Sequence, residues 1–192
     1  MPPTKAEMRT AILSARRAVP GDVRRAEAEE LRRRLAALLR SGDTVCAYVP
    51  VGSEPGSADI LDSLVAARIR VLLPVAREDD AGQPLPLTWG DYRGELVAAR
   101  FGLREPPAPY LPAEAIGTAS TVVVPALAVD RVGSRLGRGA GYYDRSLAMA
   151  DPSARLIATV RDDEVLDRLP AEPHDVPMTH ALTPGGGLVE LR

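Results

Sequence analysis

"STVVVPALAVDRVGSRLGRGAGYYDRSLAMA", residues 120–150, runs from β-branched and apolar residues into a stretch dense in glycine and arginine, then into a helix-like segment. Residues 120–129 read as a buried strand. Residues 135–145, "RLGRGAGYYDR", hold three glycines, three arginines, two adjacent tyrosines and an aspartate. Neither a strand nor a helix interior favours that mixture. The order strand, loop, helix puts the glycines at the carboxyl end of a strand, where open α/β sheets bind their ligands.

The same alternation extends outward. Residues 44–51 (TVCAYVPV), 69–76 (IRVLLPVA) and 154–160 (ARLIATV) read as further strands, and 57–68 as a helix capped by Ser57. Strands apolar on both faces and separated by helices predict a single-domain α/β fold. Its open, mainly parallel sheet is expected to carry helices on both faces. Thr4 and Glu7 form a capping-box pattern that starts a helix running to about residue 18. A second helix begins near Asp22, carries Leu31, Leu35, Leu38 and Leu39 at helical spacing, and ends by Gly42. Arg32, Arg33 and Arg34 fall on its solvated side. Residues 77–112 contain six of the 18 prolines and read as irregular chain wrapping over a site or an edge.

A chain of 192 residues fits one domain, and neither a repeat nor a linker divides it. A net charge of −2 argues against general nucleic-acid or membrane binding. The single cysteine, Cys46, excludes an internal disulfide framework and reads as a buried thiol of a reducing compartment. The first twenty residues lack the apolar block of a signal peptide, and the longest apolar run is too short to span a bilayer. A cytoplasmic monomer acting on small molecules is expected.

Glycines let successive N–H groups point at one place and make an anion nest, and a following helix N-terminus adds partial positive charge. Arg135 and Arg138 can make bidentate contacts with phosphate oxygens. Asp144 would repel phosphate unless a magnesium ion lay between them. The loop therefore reads as a cradle for a magnesium-bound polyphosphate. It lacks the Gly-Lys-Ser/Thr end of a Walker A loop. It also fails the dinucleotide G-x-G-x-x-G, because Tyr142 or Asp144 stands where the third glycine is needed.

"VPALAVDRVGSRLGRGAGYYDRSL" (124–147) resembles the signature of the 5-formyltetrahydrofolate cyclo-ligase, or methenyltetrahydrofolate synthetase, family. The likeness covers nearly the whole chain. Lys5 and Arg9 are similar to a K-x-x-x-R of the family's first helix. "YVPVGSE" (48–54), "FGLREP" (101–106) and "LPAEPHDVPMTHALTP" (169–184) resemble further family segments in the right order. The resemblance implies an open α/β fold. It also implies conversion of 5-formyltetrahydrofolate to 5,10-methenyltetrahydrofolate with magnesium ATP, releasing ADP and phosphate through a phosphorylated formyl group.

The implied roles follow residue by residue. Lys5, Arg9 and the run Arg135, Leu136, Gly137, Arg138, Gly139, Ala140, Gly141, Tyr142 and Tyr143 match ATP-binding positions. Arg138 is the catalytic residue, stabilising the transferring phosphoryl group. Val49, Glu54, Phe101, Arg138, Gly139 and Tyr142 match the reduced-folate side, with Glu54 accepting hydrogen bonds from pterin N–H groups. Asp144 and Asp175 match magnesium-binding carboxylates. Read without the resemblance, Lys5 and Arg9 are a solvated helix face, Val49 a buried strand valine, Phe101 a core residue and Asp175 a turn residue. Ala126, Val129, Ala140 and Thr179 depart from the family pattern, and Thr179 puts a further metal contact in doubt. Two other classes fit part of the pattern. One is a non-catalytic nucleotide-binding regulator. The other is an RNA-binding module stacking bases on Tyr142 and Tyr143, which the acidic balance disfavours.

Overall fold

The computed structural model describes residues 3–170, 172 and 175–191. The chain runs through helices α1 (Lys5–Ala18) and α2 (Gly21–Leu38), strand β1 (Thr44–Cys46), helix α3 (Asp59–Ala66) and strand β2 (Arg70–Val75). Strands β3 (Thr88–Asp91), β4 (Val97–Ala98), β5 (Arg104–Glu105), β6 (Thr121–Pro125), β7 (Ala128–Asp130) and β8 (Arg135–Leu136) follow. Helix α4 (Tyr142–Ser146) precedes β9 (Arg155–Thr159), β10 (Val165–Leu166), β11 (His180–Thr183) and β12 (Gly187–Glu190). Thr4 caps α1 as its sequence demands: its hydroxyl accepts from the Glu7 N–H at 3.3 Å, and its own N–H donates to Glu7 Oε2 at 2.7 Å.

The main sheet has the order β12-β11-β9-β6-β1-β2-β3. Its five inner strands are mutually parallel, and the two edge strands are antiparallel. The strand period of two divides the core between the faces. Val45, Val71, Leu73, Val123, Ile157 and Leu182 face α2 and α3 and bury Leu31, Leu35, Ile60, Leu61 and Leu64. Cys46, Leu72, Val122, Val124, Leu156 and Ala158 face the other way. That side is covered by α4 and by short 3-10 turns, Ala113–Thr118 and Leu147–Met149, rather than by long helices. Helix α1 lies off the main sheet, with Met8, Ile12 and Leu13 packed on Leu127, Ala128, Leu136 and Leu169.

Several local expectations need correction. The 120–129 run is two strands. Pro125 ends β6, since proline offers no N–H to continue a ladder, and the Ala126 carbonyl is taken by Arg16 Nη2 at 2.7 Å. The chain then enters a second sheet of order β10-β7-β8. Arg135 and Leu136 consequently stand on a strand, ahead of the glycine loop. The 44–51 run is a strand only as far as Cys46, and Ser57 does not cap α3, which starts at Asp59 behind Ala58 without a side-chain cap. Segment 77–112 is less irregular than its prolines suggest: β3 forms an edge of the main sheet around the fully buried Trp89. The β11–β12 hairpin had no counterpart in the sequence reading.

Chain direction sets the position of the site. From β1 the chain moves to β2 on one side, and it later enters β6 on the other side of β1. The crevice beyond the carboxyl ends of β1 and β6 is thus the topological switch point of the sheet.

Candidate active site

A cavity of about 510 Å³ opens at that switch point. Its lining comes from the end of β1 (Tyr48, Val49, Val51, Glu54), the end of β2 (Pro74, Ala76, Glu78), the end of β6 (Pro125, Ala126, Leu127) and the loop that follows β8. The hairpin β7–β8 aims that loop. Buried Asp130 holds it, accepting from the N–H groups of Val132 (3.1 Å), Ser134 (2.8 Å) and Leu169 (2.8 Å). Gly133 has φ +90°, and a Cβ there would lie 2.4 Å from the Met178 carbonyl, so a side chain is excluded.

The loop itself is cationic and open. None of the N–H groups of residues 137–141 donates to an acceptor among the described residues. Gly139 has φ +100°, and Gly141, at φ +80°, precedes α4. Arg9 of α1 reaches over, its Nε donating to the Gly137 carbonyl at 2.9 Å and its guanidinium beside Gly139. Arg135 Nη2 meets Asp144 Oδ1 at 2.5 Å, and its guanidinium lies 5.7 Å from the centre of the Tyr143 ring. With only five residues, α4 contributes little dipole, so the charge of this site resides in its arginines and free N–H groups.

Glu54 faces the loop across the crevice. It sits on a turn that its own carboxylate closes: the Val51 N–H donates to Glu54 Oε2 at 2.9 Å, and the Glu54 N–H to the Val51 carbonyl at 3.1 Å. Tyr48 braces the same segment by donating to the Pro55 carbonyl at 2.7 Å. The other Glu54 oxygen accepts from Arg138 Nε at 2.9 Å. Arg138 thereby joins the two walls of the cavity. Tyr142 donates to Glu78 at 3.3 Å, and burial together with the Glu78 charge raises its phenol above the usual range. Burial, reinforced by the Glu54 charge, raises Tyr143 further, so both phenols stay protonated at neutral pH.

The structure thus brings Val49, Glu54, Arg135, Gly137, Arg138, Gly139, Ala140, Gly141, Tyr142, Tyr143 and Asp144 around one cavity. Leu136 is buried and packs in the α1 core, so its side chain does not face the cavity. Lys5 stands further along α1, 3.0 Å from Glu172 and 3.9 Å from Asp175. The Asp175 carboxylate accepts from the Glu172 N–H at 2.9 Å. Phe101 falls in a 3-10 turn, Arg100–Gly102, and its side chain lies outside the described residues, as does His174.

Sequence reasoning missed Arg16, which is 1% exposed on the cavity wall. It binds Glu164 through Nε and Nη2, each at 2.7 Å. The spacing Lys5, Arg9, Arg16 follows one stripe of the helix, and that was the available signal. The Arg16-Arg17 doublet hid it, because a pair of arginines near a helix end reads as solvated.

A sequence profile of the 5-formyltetrahydrofolate cyclo-ligase family matches residues 2–184. The chain belongs to that family. As a cyclo-ligase family member it is a ligase. It is 65% identical over 192 residues to the 5-formyltetrahydrofolate cyclo-ligase of Mycolicibacterium smegmatis, a match covering 100% of this chain and 99% of that one. The Escherichia coli cyclo-ligase is 29% identical over 142 residues, covering 73% of this chain and 78% of that one. In fold, the chain matches the solved 5,10-methenyltetrahydrofolate synthetase of Aquifex aeolicus with a TM-score of 0.79. Identity there is 24%, and the match covers 98% of this chain and 93% of that one. The Mycoplasma pneumoniae synthetase matches with a TM-score of 0.71 at 21% identity, over 92% and 96% of the two chains.

Proposed function

We propose that this protein converts 5-formyltetrahydrofolate and ATP to 5,10-methenyltetrahydrofolate, ADP and phosphate. The observation that carries the reading is the pairing, across one cavity, of a cationic loop with unused N–H donors and a carboxylate on the opposite strand end. The cyclo-ligase name of its 65% identical relative supports the same substrate.

The chemistry needs both walls. A formamide oxygen is a poor leaving group until it is phosphorylated. The formyl oxygen attacks the γ-phosphorus, an O–P bond forms, and the bond to ADP breaks. The second folate nitrogen then attacks the formyl carbon and loses its proton. The C–O bond breaks, phosphate leaves, and the amidinium ring is closed. Phosphoryl transfer asks chiefly for positioning and charge neutralisation. Arg138 supplies charge at the transferring group, and Arg9, Lys5, Arg135 and the 137–141 N–H groups hold the polyphosphate. Glu54 takes the pterin N–H groups, Tyr142 and Val49 border the ring, and Phe101 is assigned beside them.

Asp144 and Asp175 offer the carboxylate oxygens that magnesium takes, each next to a cation of the cradle. Among the described residues no three potential ligands converge. That suits an ion which binds one or two carboxylates and completes its shell with phosphate and water. When bound, it would neutralise phosphate charge beside Asp144 and Asp175.

The test is incubation of the purified protein with 5-formyltetrahydrofolate, with and without ATP and magnesium, while the methenyl product is followed by absorbance. Product that requires both is expected. No product with everything present overturns the reading. Nucleotide binding without turnover identifies a regulator that kept the loop.

A further inference from the structure

Two buried donors at the cavity are unusual. Arg16 Nη1 and Tyr143 Oη are both buried and without a hydrogen-bond partner among the described residues. Arg16 and Tyr143 line the cavity together with Tyr48 and Glu54. Arg16 is fixed: Glu164 and the Ala126 carbonyl hold its other nitrogens at 2.7 Å, which leaves Nη1 alone without an acceptor. A buried donor left unsatisfied is costly, so such groups call for a ligand acceptor or a function.

The chemistry of a reduced pterin supplies that acceptor. One edge of the ring carries an amino group and a ring N–H, both donors, next to a carbonyl oxygen, an acceptor. A carboxylate can take the two donors, but it cannot serve the carbonyl. Of the cavity's other arginines, Arg135 and Arg138 face Asp144 and Glu54, Arg100 lies 3.6 Å from Glu78, and Arg100 and Arg104 are both exposed, so Arg16 is the buried guanidinium with a free N–H.

We propose that Arg16 Nη1–H and Tyr143 Oη–H receive the 4-oxo group of the pterin whose N–H groups go to Glu54, and so set the enzyme's specificity for 4-oxo over 4-amino rings. This rests on the functional reading above. Arginine only donates. A 4-amino ring would point donors at a donor that cannot rotate away; it also strips the N3 proton that Glu54 takes, so the change of ratio in the variants, rather than the wild-type preference alone, isolates the 4-position. A site built to hydrogen-bond one group rejects an analogue that lacks it. The Tyr143 hydroxyl can donate in the same way.

Binding of 5-formyltetrahydrofolate and of its 4-amino-4-deoxy counterpart, measured by calorimetry without ATP, tests the proposal. The wild-type protein should prefer the oxo form by roughly ten- to hundredfold. Tyr143→Phe keeps the ring and removes only the hydroxyl. The pair Arg16→Met with Glu164→Met removes the guanidinium without stranding a buried carboxylate. Each should cut the oxo/amino ratio severalfold or more by weakening the oxo form alone. Loss of packing would weaken both ligands and leave the ratio unchanged, so the ratio separates recognition from structure. If the double variant does not fold, Tyr143→Phe decides. An unchanged ratio in every folded variant, or no wild-type preference, overturns the proposal while leaving the functional reading standing. Failure of the wild-type protein to bind either folate overturns both.

Discussion

Glu54 and Arg138 lie 84 positions apart in the chain and 2.9 Å apart in space. The sequence assigned Glu54 to the folate and Arg138 to both ATP and the folate side. Under the proposed function, their ion pair would have to loosen for Glu54 to take the pterin N–H groups and Arg138 the transferring phosphoryl group. Glu54→Gln should therefore weaken folate binding by roughly ten- to hundredfold, the usual cost of losing a hydrogen bond to a charged acceptor. ATP affinity should hold or rise, because a neutral partner no longer competes with phosphate for Arg138. Separate titrations of the two ligands check this, and an equal loss for both would mean that Glu54 merely supports the 51–54 turn. Single residues of the loop were legible in advance because they are contiguous. The pairing was not, since nothing in the local pattern at 54 points to 138.

At the scale of elements, the glycine loop and the 77–112 segment each hang on one device. Gly139 has φ +100°, while a Cβ there would meet Arg9 no closer than 3.5 Å, so the constraint is backbone conformation rather than space. Valine in that conformation costs on the order of 1–3 kcal/mol and pulls the loop from its shape. Gly139→Val should lower ATP affinity about tenfold or more, with the melting temperature nearly unchanged, as calorimetry and thermal melts would show. The 77–112 segment is clamped by Glu105, whose carboxylate accepts from Arg77 Nη1 and Nη2 at 2.8 and 2.7 Å and from the Tyr110 hydroxyl at 2.9 Å. The Arg77 hydrogen bonds hold the Glu105 carboxyl below its ordinary 4.5, against the opposing effect of burial. A carboxylate depressed in the folded state adds stability above its unfolded pKa, and loses it as pH falls through the folded one. Thermal melts of the wild type and Glu105→Gln should differ fully at neutral pH and converge only once the pH has fallen below the carboxyl's ordinary 4.5 and through its lowered value.

At the scale of the molecule, the parallel sheet was legible because Val122, Val123, Val124 and their counterparts in β2 and β9 are apolar on both faces. The second sheet was not, because 120–129 is apolar throughout and only Pro125 marks the break. The β11–β12 hairpin escaped because its four-residue strands hold His180, Thr183 and Glu190 among their apolar residues. No helix among the described residues is long and apolar enough to cross a membrane. Placement of α1 has a consequence for synthesis. Its apolar stripe, Met8, Ile12 and Leu13, packs on Leu127, Ala128, Leu136 and Leu169, and Arg16 waits for Glu164, 148 positions later. Helix α1, made before the segments it packs on, is thus among the last to dock. Chains stalled before residue 160 should leave α1 open to protease, whereas the full-length chain should protect it. Under the proposed function, an unfinished copy would hold the glycine loop without Arg9 or Lys5 in place, and would not consume ATP while it is being made.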